Sequence, residues 1–115
     1  MNNLKRYIDM AVRREIRRSF RDASVSGTAN AVARNIENLY ESLPQDRKGD
    51  TGVVLKKAIL LIKKVPSLHK KDQENGTDLA RAACDDAMDM LFKIGALKRI
   101  SNPRIDDLVE LVDRY

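Results

Sequence analysis

Apolar residues recur at every fourth position along the start of the chain. They are Leu4, Ile8, Val12, Ile16 and Phe20. On an α-helix this spacing forms one apolar stripe that drifts slowly around the surface, so it predicts an amphipathic first helix over residues 3–22. The small and polar residues 23–27 come next, and they predict a break before the second helix.

Four further helices follow from the same periodicity and from ordinary helix boundaries. Their expected ranges are 28–43, 50–65, 78–99 and 102–115. Pro44 and Pro66 are expected to end the second and third helices, since the residue before a proline disfavours helical geometry. The charged stretch 67–76 is then a loop, Thr77 caps the fourth helix, and Asn102 caps the fifth.

The apolar positions of these four helices define the expected core. They are Val32, Ile36, Leu39, Tyr40 and Leu43 in the second helix, Val54, Leu55, Ala58, Ile59, Ile62 and Val65 in the third, Leu79, Ala83, Ala87, Met90, Leu91, Ile94 and Leu97 in the fourth, and Ile105, Leu108, Val109 and Val112 in the fifth. Short connections between amphipathic helices favour an all-α fold, an up-and-down helical bundle of four to five helices. We expect a single domain over residues 1–115, in which a basic amphipathic helix at 1–22 precedes a bundle core at 28–115.

The net charge of this 115-residue chain is +5, and it is distributed in blocks. Residues 1–22 carry +4 and residues 47–74 carry +5, whereas 23–46 and 75–115 each carry −2. The longest apolar run, at 58–62, is far too short to span a membrane, and no secretory signal is visible. We therefore expect a cytoplasmic protein whose basic blocks favour an anionic partner.

No arrangement of residues indicates an enzyme, a cofactor site or a metal site. Asp85, Asp86 and Asp89 resemble the DDxxD run that binds magnesium diphosphate in prenyl-transfer enzymes. However, Arg81 stands four residues before the first of these carboxylates and Lys93 four residues after the last. This spacing predicts solvated ion pairs along one helix.

The only cysteine and the only histidine do not suggest a catalytic pair. We expect Cys84 to be a small apolar side chain of the fourth helix, and His69 to lie on the surface of the charged loop. One cysteine and one histidine are also too few for a usual structural zinc site. The fifth helix carries four carboxylates against two guanidinium groups, which argues against a DNA-recognition helix.

Two basic helix faces form the candidate interface. Five arginines share an arc of about 140° on the first helix, and four lysines surround Leu60 on the third. These residues are Arg13, Arg14, Arg17, Arg18 and Arg21, with Lys56, Lys57, Lys63 and Lys64. The guanidinium fork matches phosphate oxygens, and each lysine adds a point charge. We therefore expect a non-enzymatic protein that binds the RNA or DNA backbone with little sequence selectivity.

A protein-interaction role stays open beside this one. The chain would then be an adaptor or inhibitor, such as a phage- or plasmid-type regulator, whose basic face docks on an acidic protein. Leu60, Met88 and Phe92 are expected to be exposed, and they are candidate anchors for a partner or for a second copy in a homo-oligomer. Binding of an anionic membrane surface through the first helix is a further alternative.

A pattern of apolar and basic positions covers about 70 residues from Leu43 onward. It consists of Leu43-Pro44 with Arg47, Leu55-Lys56-Lys57-Ala58-Ile59-Leu60, Leu79 and Ala83 with Met90-Leu91, and Ile100-Ser101 before Ile105, Leu108 and Leu111. This pattern resembles the accessory four-helix-bundle proteins of diversity-generating retroelements and related ribosomal intervening-sequence proteins. The resemblance implies a basic homo-oligomer that binds nucleic acid and a polymerase. The basic N-terminal helix and the short last helix depart from the family's pattern.

Overall fold

The computed structural model describes the backbone of residues 2–114 and the side chains of residues 22–114. This part of the chain forms four α-helices and contains no strand, which confirms the all-α prediction. The helices are α1 (Asn2–Ser42), α2 (Asp50–Asn75), α3 (Leu79–Lys93) and α4 (Ile105–Arg114). Single 3-10 turns at Gln45–Arg47 and Leu97–Arg99 lie in two of the connections.

Successive helices run antiparallel around a shared core. Tyr40, near the end of α1, lies against Gly52, near the start of α2. Arg81, near the start of α3, pairs with Asp113, near the end of α4. Both α2 and α4 pack against α1 and α3, so α2 and α4 lie diagonally across the bundle. This arrangement is the predicted up-and-down bundle. Each described helix is too short or too polar to traverse a lipid bilayer.

The core is aliphatic and draws on all four helices. Its fully buried large side chains include Val25, Val32, Ile36, Leu55, Ile62, Val65, Leu91, Ile105 and Leu108. Most of the predicted core positions are buried or pack against this cluster. The prediction was wrong for Leu79, whose side chain is 45% exposed. Leu79 lies about 100° around α3 from the centre of its buried face, which Ala80, Ala83, Ala87 and Leu91 form.

Helix α1 is continuous where the sequence predicted a break at residues 23–27. Within this stretch Val25 is buried, and Ala29 is buried one turn later, so the helix contributes to the core on both sides of Gly27. A glycine inside a helix costs about 1 kcal/mol, whereas burying a valine side chain stabilises by about 1.5–3 kcal/mol. Burial therefore outweighs local propensity, and the expected boundary between a helix at 1–22 and the bundle core falls inside one helix.

Helix α2 likewise continues through Pro66, where the sequence predicted an end and a loop over 67–76. A proline inside a helix removes one backbone hydrogen bond and costs about 3 kcal/mol. The helical apolar spacing nevertheless continues across it, because Ile62 and Val65 before the proline and His69 after it are all buried. These buried contacts keep residues 67–75 helical.

The ends of α3 and α4 also differ from their expected positions. Gly95, with φ of 70°, ends α3 several residues before the predicted position, and the amide of Ala96 donates to the carbonyl of Leu91 at 2.8 Å. Positive φ favours glycine, which explains the stop. Helix α4 begins at Ile105, and the amide of Arg104 donates to an Asp107 carboxylate oxygen at 2.8 Å. The expected cap, Asn102, lies in the loop before it.

Candidate nucleic-acid interface

Helix α2 carries three lysine pairs spaced seven residues apart. They are Lys56-Lys57, Lys63-Lys64 and Lys70-Lys71, and all six side chains are exposed. Seven residues advance a helix by about 10.5 Å, so the pairs extend over about 21 Å along one side of α2. Four of the six lysines were predicted. The sequence analysis missed Lys70 and Lys71 because it placed them in a loop after Pro66.

One lysine of each pair faces α1, and we call this set the inner column: Lys56, Lys63 and Lys70. The Nζ atom of Lys63 lies 2.9 Å from Oε1 of Glu37 in α1. The Nζ atom of Lys56 lies 5.0 Å from the centre of the Tyr40 ring, also in α1. Lys70 lines a cavity of about 250 Å³ together with Asp22. Lys56 and Lys63 therefore contact α1, and Lys70 faces the cavity beside it.

The other lysine of each pair faces solvent, and we call this set the outer column: Lys57, Lys64 and Lys71. At about 100° per residue, its members fall within an arc of about 40° on the side of α2 away from the core. Among the described residues, none of the three forms an ion pair or a ring contact. Their ammonium groups are available to an external anion.

Two aliphatic side chains lie on the same solvent-facing side of α2. Leu60 is 59% exposed and Val53 is 50% exposed. Leu60 stands three residues after Lys57 and four residues before Lys64, so it sits between them on the helix surface. The predicted exposure of Leu60 is confirmed.

The ring of Tyr40 in α1 lies between α1 and α2, beside the lysines of α2. Two ammonium groups lie near its ring, that of Lys48 at 5.3 Å and that of Lys56 at 5.0 Å from the ring centre. The ring also packs on the backbone of Gly52, where an added Cβ would lie 3.0 Å from its Cε2 atom. The half-buried ring is therefore enclosed by its neighbours.

The five arginines predicted on the first helix lie outside the described side chains. They are Arg13, Arg14, Arg17, Arg18 and Arg21, all within the backbone range of α1. Of the other candidate anchors, Phe92 is 72% exposed, as predicted. Met88 was expected to be exposed beside it but is half-buried and packs against the core. On α3 it falls between the core face and Phe92, too close to the core for an external anchor.

Acidic side chains collect on the α3–α4 side of the bundle. On α3, Asp85 pairs with Arg81 at 3.0 Å and Asp89 pairs with Lys93 at 3.0 Å, which confirms the predicted i,i+4 ion pairs. Arg81 also pairs with Asp113 of α4. The hydrogen bond to Asp85 raises the pKa of Arg81 most, and the negative charges of Asp85 and Asp113 raise it as well. The exposed acidic residues of α4 are Asp106, Asp107, Glu110 and Asp113. Since α4 lies diagonally across from α2, the two exposed faces differ in sign.

His69 and Cys84 are both buried. His69 is only 3% exposed and lies within α2, so its predicted surface position was wrong. The signal was present in the sequence, because His69 continues the spacing of Ile62 and Val65. Cys84 is fully buried, as predicted, and burial raises its pKa to about 12. Its thiol is therefore protonated at neutral pH.

No family model, no curated protein and no solved structure matches this chain. The assignment of a function therefore rests on the geometry of the bundle and on the charges it displays.

Proposed function

We propose that this chain is a non-enzymatic protein that binds the phosphate backbone of nucleic acid with little sequence selectivity. The observation that carries the proposal is the row of three exposed lysine pairs along α2. Cations fixed on one helical face displace condensed counterions from nucleic acid, which provides affinity without reading the bases. The arginines at 13–21 belong to the proposed interface as a second set of phosphate contacts.

The distribution of charge across the bundle supports this proposal. The exposed carboxylates of α4 lie diagonally opposite α2, and those of α3 are partly paired with basic residues of the same side. A polyanion is therefore repelled by one side of the molecule and attracted by the other. This asymmetry orients the protein with α2 toward the phosphates. The resemblance to retroelement accessory proteins points to the same class of ligand.

Binding of a fluorescein-labelled 20-base-pair duplex, followed by anisotropy at 50 and 200 mM salt, tests the proposal. The test variant replaces all six lysines of α2 with glutamine. The matched control removes six basic charges elsewhere, at exposed residues, with Arg34→Gln, Arg47→Gln, Lys93→Gln, Lys98→Gln, Arg99→Gln and Arg104→Gln. We expect the six-lysine variant to lose at least tenfold in affinity and the control to stay within threefold of the wild type. Absence of wild-type binding at 50 mM salt would overturn the proposal.

A second candidate function is docking on an acidic protein, and Leu60 is the observation that favours it. A leucine that is 59% exposed among lysines is suited to an acidic partner helix with an apolar stripe. Leu60→Ser separates the two functions. The substitution should leave duplex affinity within twofold if phosphates are the ligand, since a leucine contributes nothing to counterion release. A protein partner captured by the wild type and lost with Leu60→Ser would favour the second function.

A further inference from the structure

We infer that the outer column of α2, Lys57, Lys64 and Lys71, makes the phosphate contacts, and that its ligand is a nucleic-acid duplex. The inference deepens the proposed function and rests on it. It divides the six lysines into two sets of equal charge: the outer column binds phosphates, and the inner column faces α1. It also assigns a role to Lys71, and it withdraws Lys56 and Lys63 from direct contact.

The inner column is poorly placed for a polyanion because α1 supplies competing groups. Lys63 has Glu37 at 2.9 Å, so a phosphate approaching this ammonium also approaches a carboxylate. Lys70 shares a cavity wall with Asp22. Lys56 is held near the Tyr40 ring and is directed toward α1. Lys56 and Lys63 therefore hold α2 against α1 through contacts that a ligand would have to break.

Among the described residues, no carboxylate forms an ion pair with a lysine of the outer column. Lys57 and Lys64 have no acidic residue three or four positions away on α2, the distances at which helical side chains meet. Lys71 has one, Glu74, at the third position after it. With about 10.5 Å between successive members, the column forms a row of cations along one side of α2. Such a row fits an anion that is itself rod-like.

The side chains around the column favour a duplex over a single strand. Proteins that hold single strands stack the bases on exposed aromatic rings. The exposed large apolar residues of this face are Val53 and Leu60, both aliphatic, and the Tyr40 ring is enclosed by its neighbours. A duplex needs no stacking platform, and it presents one charge per about 1.7 Å of its axis.

Two triple variants of equal net charge test the inference in the full chain. The outer variant carries Lys57→Gln, Lys64→Gln and Lys71→Gln, and the inner variant carries Lys56→Gln, Lys63→Gln and Lys70→Gln. Anisotropy is measured with a 20-base-pair duplex and with each of its strands between 50 and 200 mM salt. We expect the outer variant to lose at least tenfold in duplex affinity, and its salt slope to fall by about 2–3, since each phosphate contact contributes about 0.9. The inner variant should stay within threefold of the wild type.

The remaining outcomes separate this inference from the proposed function. Equal losses in both triple variants, or a single strand bound as tightly as the duplex, would overturn the inference while backbone binding stands. Failure of the wild type to bind any of the three probes would instead overturn the proposed function. A third variant with arginine at the three outer positions keeps the charge, and it should bind the duplex within threefold of the wild type. Thermal unfolding by circular dichroism verifies that each variant is folded.

Discussion

The carboxylate of Asp72, in the last turn of α2, accepts a hydrogen bond at 2.8 Å from the backbone amide of Ala80, in the first turn of α3. The same carboxylate accepts the amide of Leu79 at 2.9 Å and the hydroxyl of Thr77 at 2.6 Å. Asp72 therefore caps the next helix, although Thr77 was predicted to do so. The residue directly before α3, Asp78, makes no side-chain capping bond.

Replacing this remote cap should destabilise the bundle. Asp72→Ala removes the acceptor for two backbone amides, and the loss of a helix cap costs about 0.5–2 kcal/mol. Urea unfolding followed by circular dichroism measures the change in the free energy of unfolding. Asp78→Ala is the matched control, with an expected change below about 0.5 kcal/mol for an exposed residue away from special contacts. Equal effects of the two substitutions would show that the cap contributes nothing.

The same contacts make stability depend on pH. Burial raises the pKa of Asp72. The hydrogen bonds from Thr77, Ala80 and Leu79, together with the charge of His69, lower it by more than burial raises it, so the pKa lies below its ordinary value of 3.8. A pKa lowered on folding contributes stability that is fully present above the unfolded value and is lost as the pH falls through the folded value. The stability difference between wild type and Asp72→Asn should therefore shrink below about pH 4. Urea unfolding from pH 2.5 to 7 tests this; a difference that stays constant contradicts it.

The thiol of Cys84 should resist alkylation in the native protein. With a pKa of about 12, only about one thiol in ten thousand is ionised at pH 8, and the thiolate is the reactive form. Iodoacetamide labelling followed by mass spectrometry should show slow modification of the native chain and rapid modification in urea. An added cysteine at the exposed position 67, Ser67→Cys, provides the control and should react quickly. Equally fast labelling of native Cys84 would show that the side chain is accessible.

Two glycines should respond in opposite directions to alanine. Gly27 lies within the continuous helix α1, with open space around an added Cβ, so Gly27→Ala should stabilise the protein by about 0.5–1 kcal/mol. Gly95 has φ of 70°, which strains a residue with a side chain, so Gly95→Ala should destabilise it by about 1 kcal/mol. Thermal and urea unfolding measure both changes. A destabilising Gly27→Ala would argue that α1 is interrupted there.

Much of this fold was predictable from the sequence because the core is periodic. The spacing of residues such as Ile36, Leu55 and Leu108 identified the buried faces of three helices, and the bundle followed from them. The errors lie where a local rule competes with burial. Gly27 and Pro66 are ordinary helix breakers, but each stands between buried neighbours, and the sequence alone does not give the free energy of that burial.

The candidate interface was predictable in part, for the same reason. The lysines at 56–64 stood out as a charge cluster, whereas Lys70 and Lys71 were missed because the helix that carries them was expected to end at Pro66. The division of the lysines into an inner and an outer column could not be predicted from the sequence. It depends on Glu37 and Tyr40, which belong to another helix and meet α2 only after folding. Asp72 was not predicted as the cap of α3 because it belongs to the preceding helix and lies seven residues before Leu79, whose amide it accepts.

The proline inside α2 divides the basic row unequally. Two lysine pairs precede Pro66 and the third follows it. A proline has no amide hydrogen to offer the carbonyl of Ile62, four residues earlier, and helices bend where this bond is absent. Bending at this joint turns the last lysine pair relative to the first two. A bend at Pro66 would let the row of lysine pairs follow a curved rod as well as a straight one.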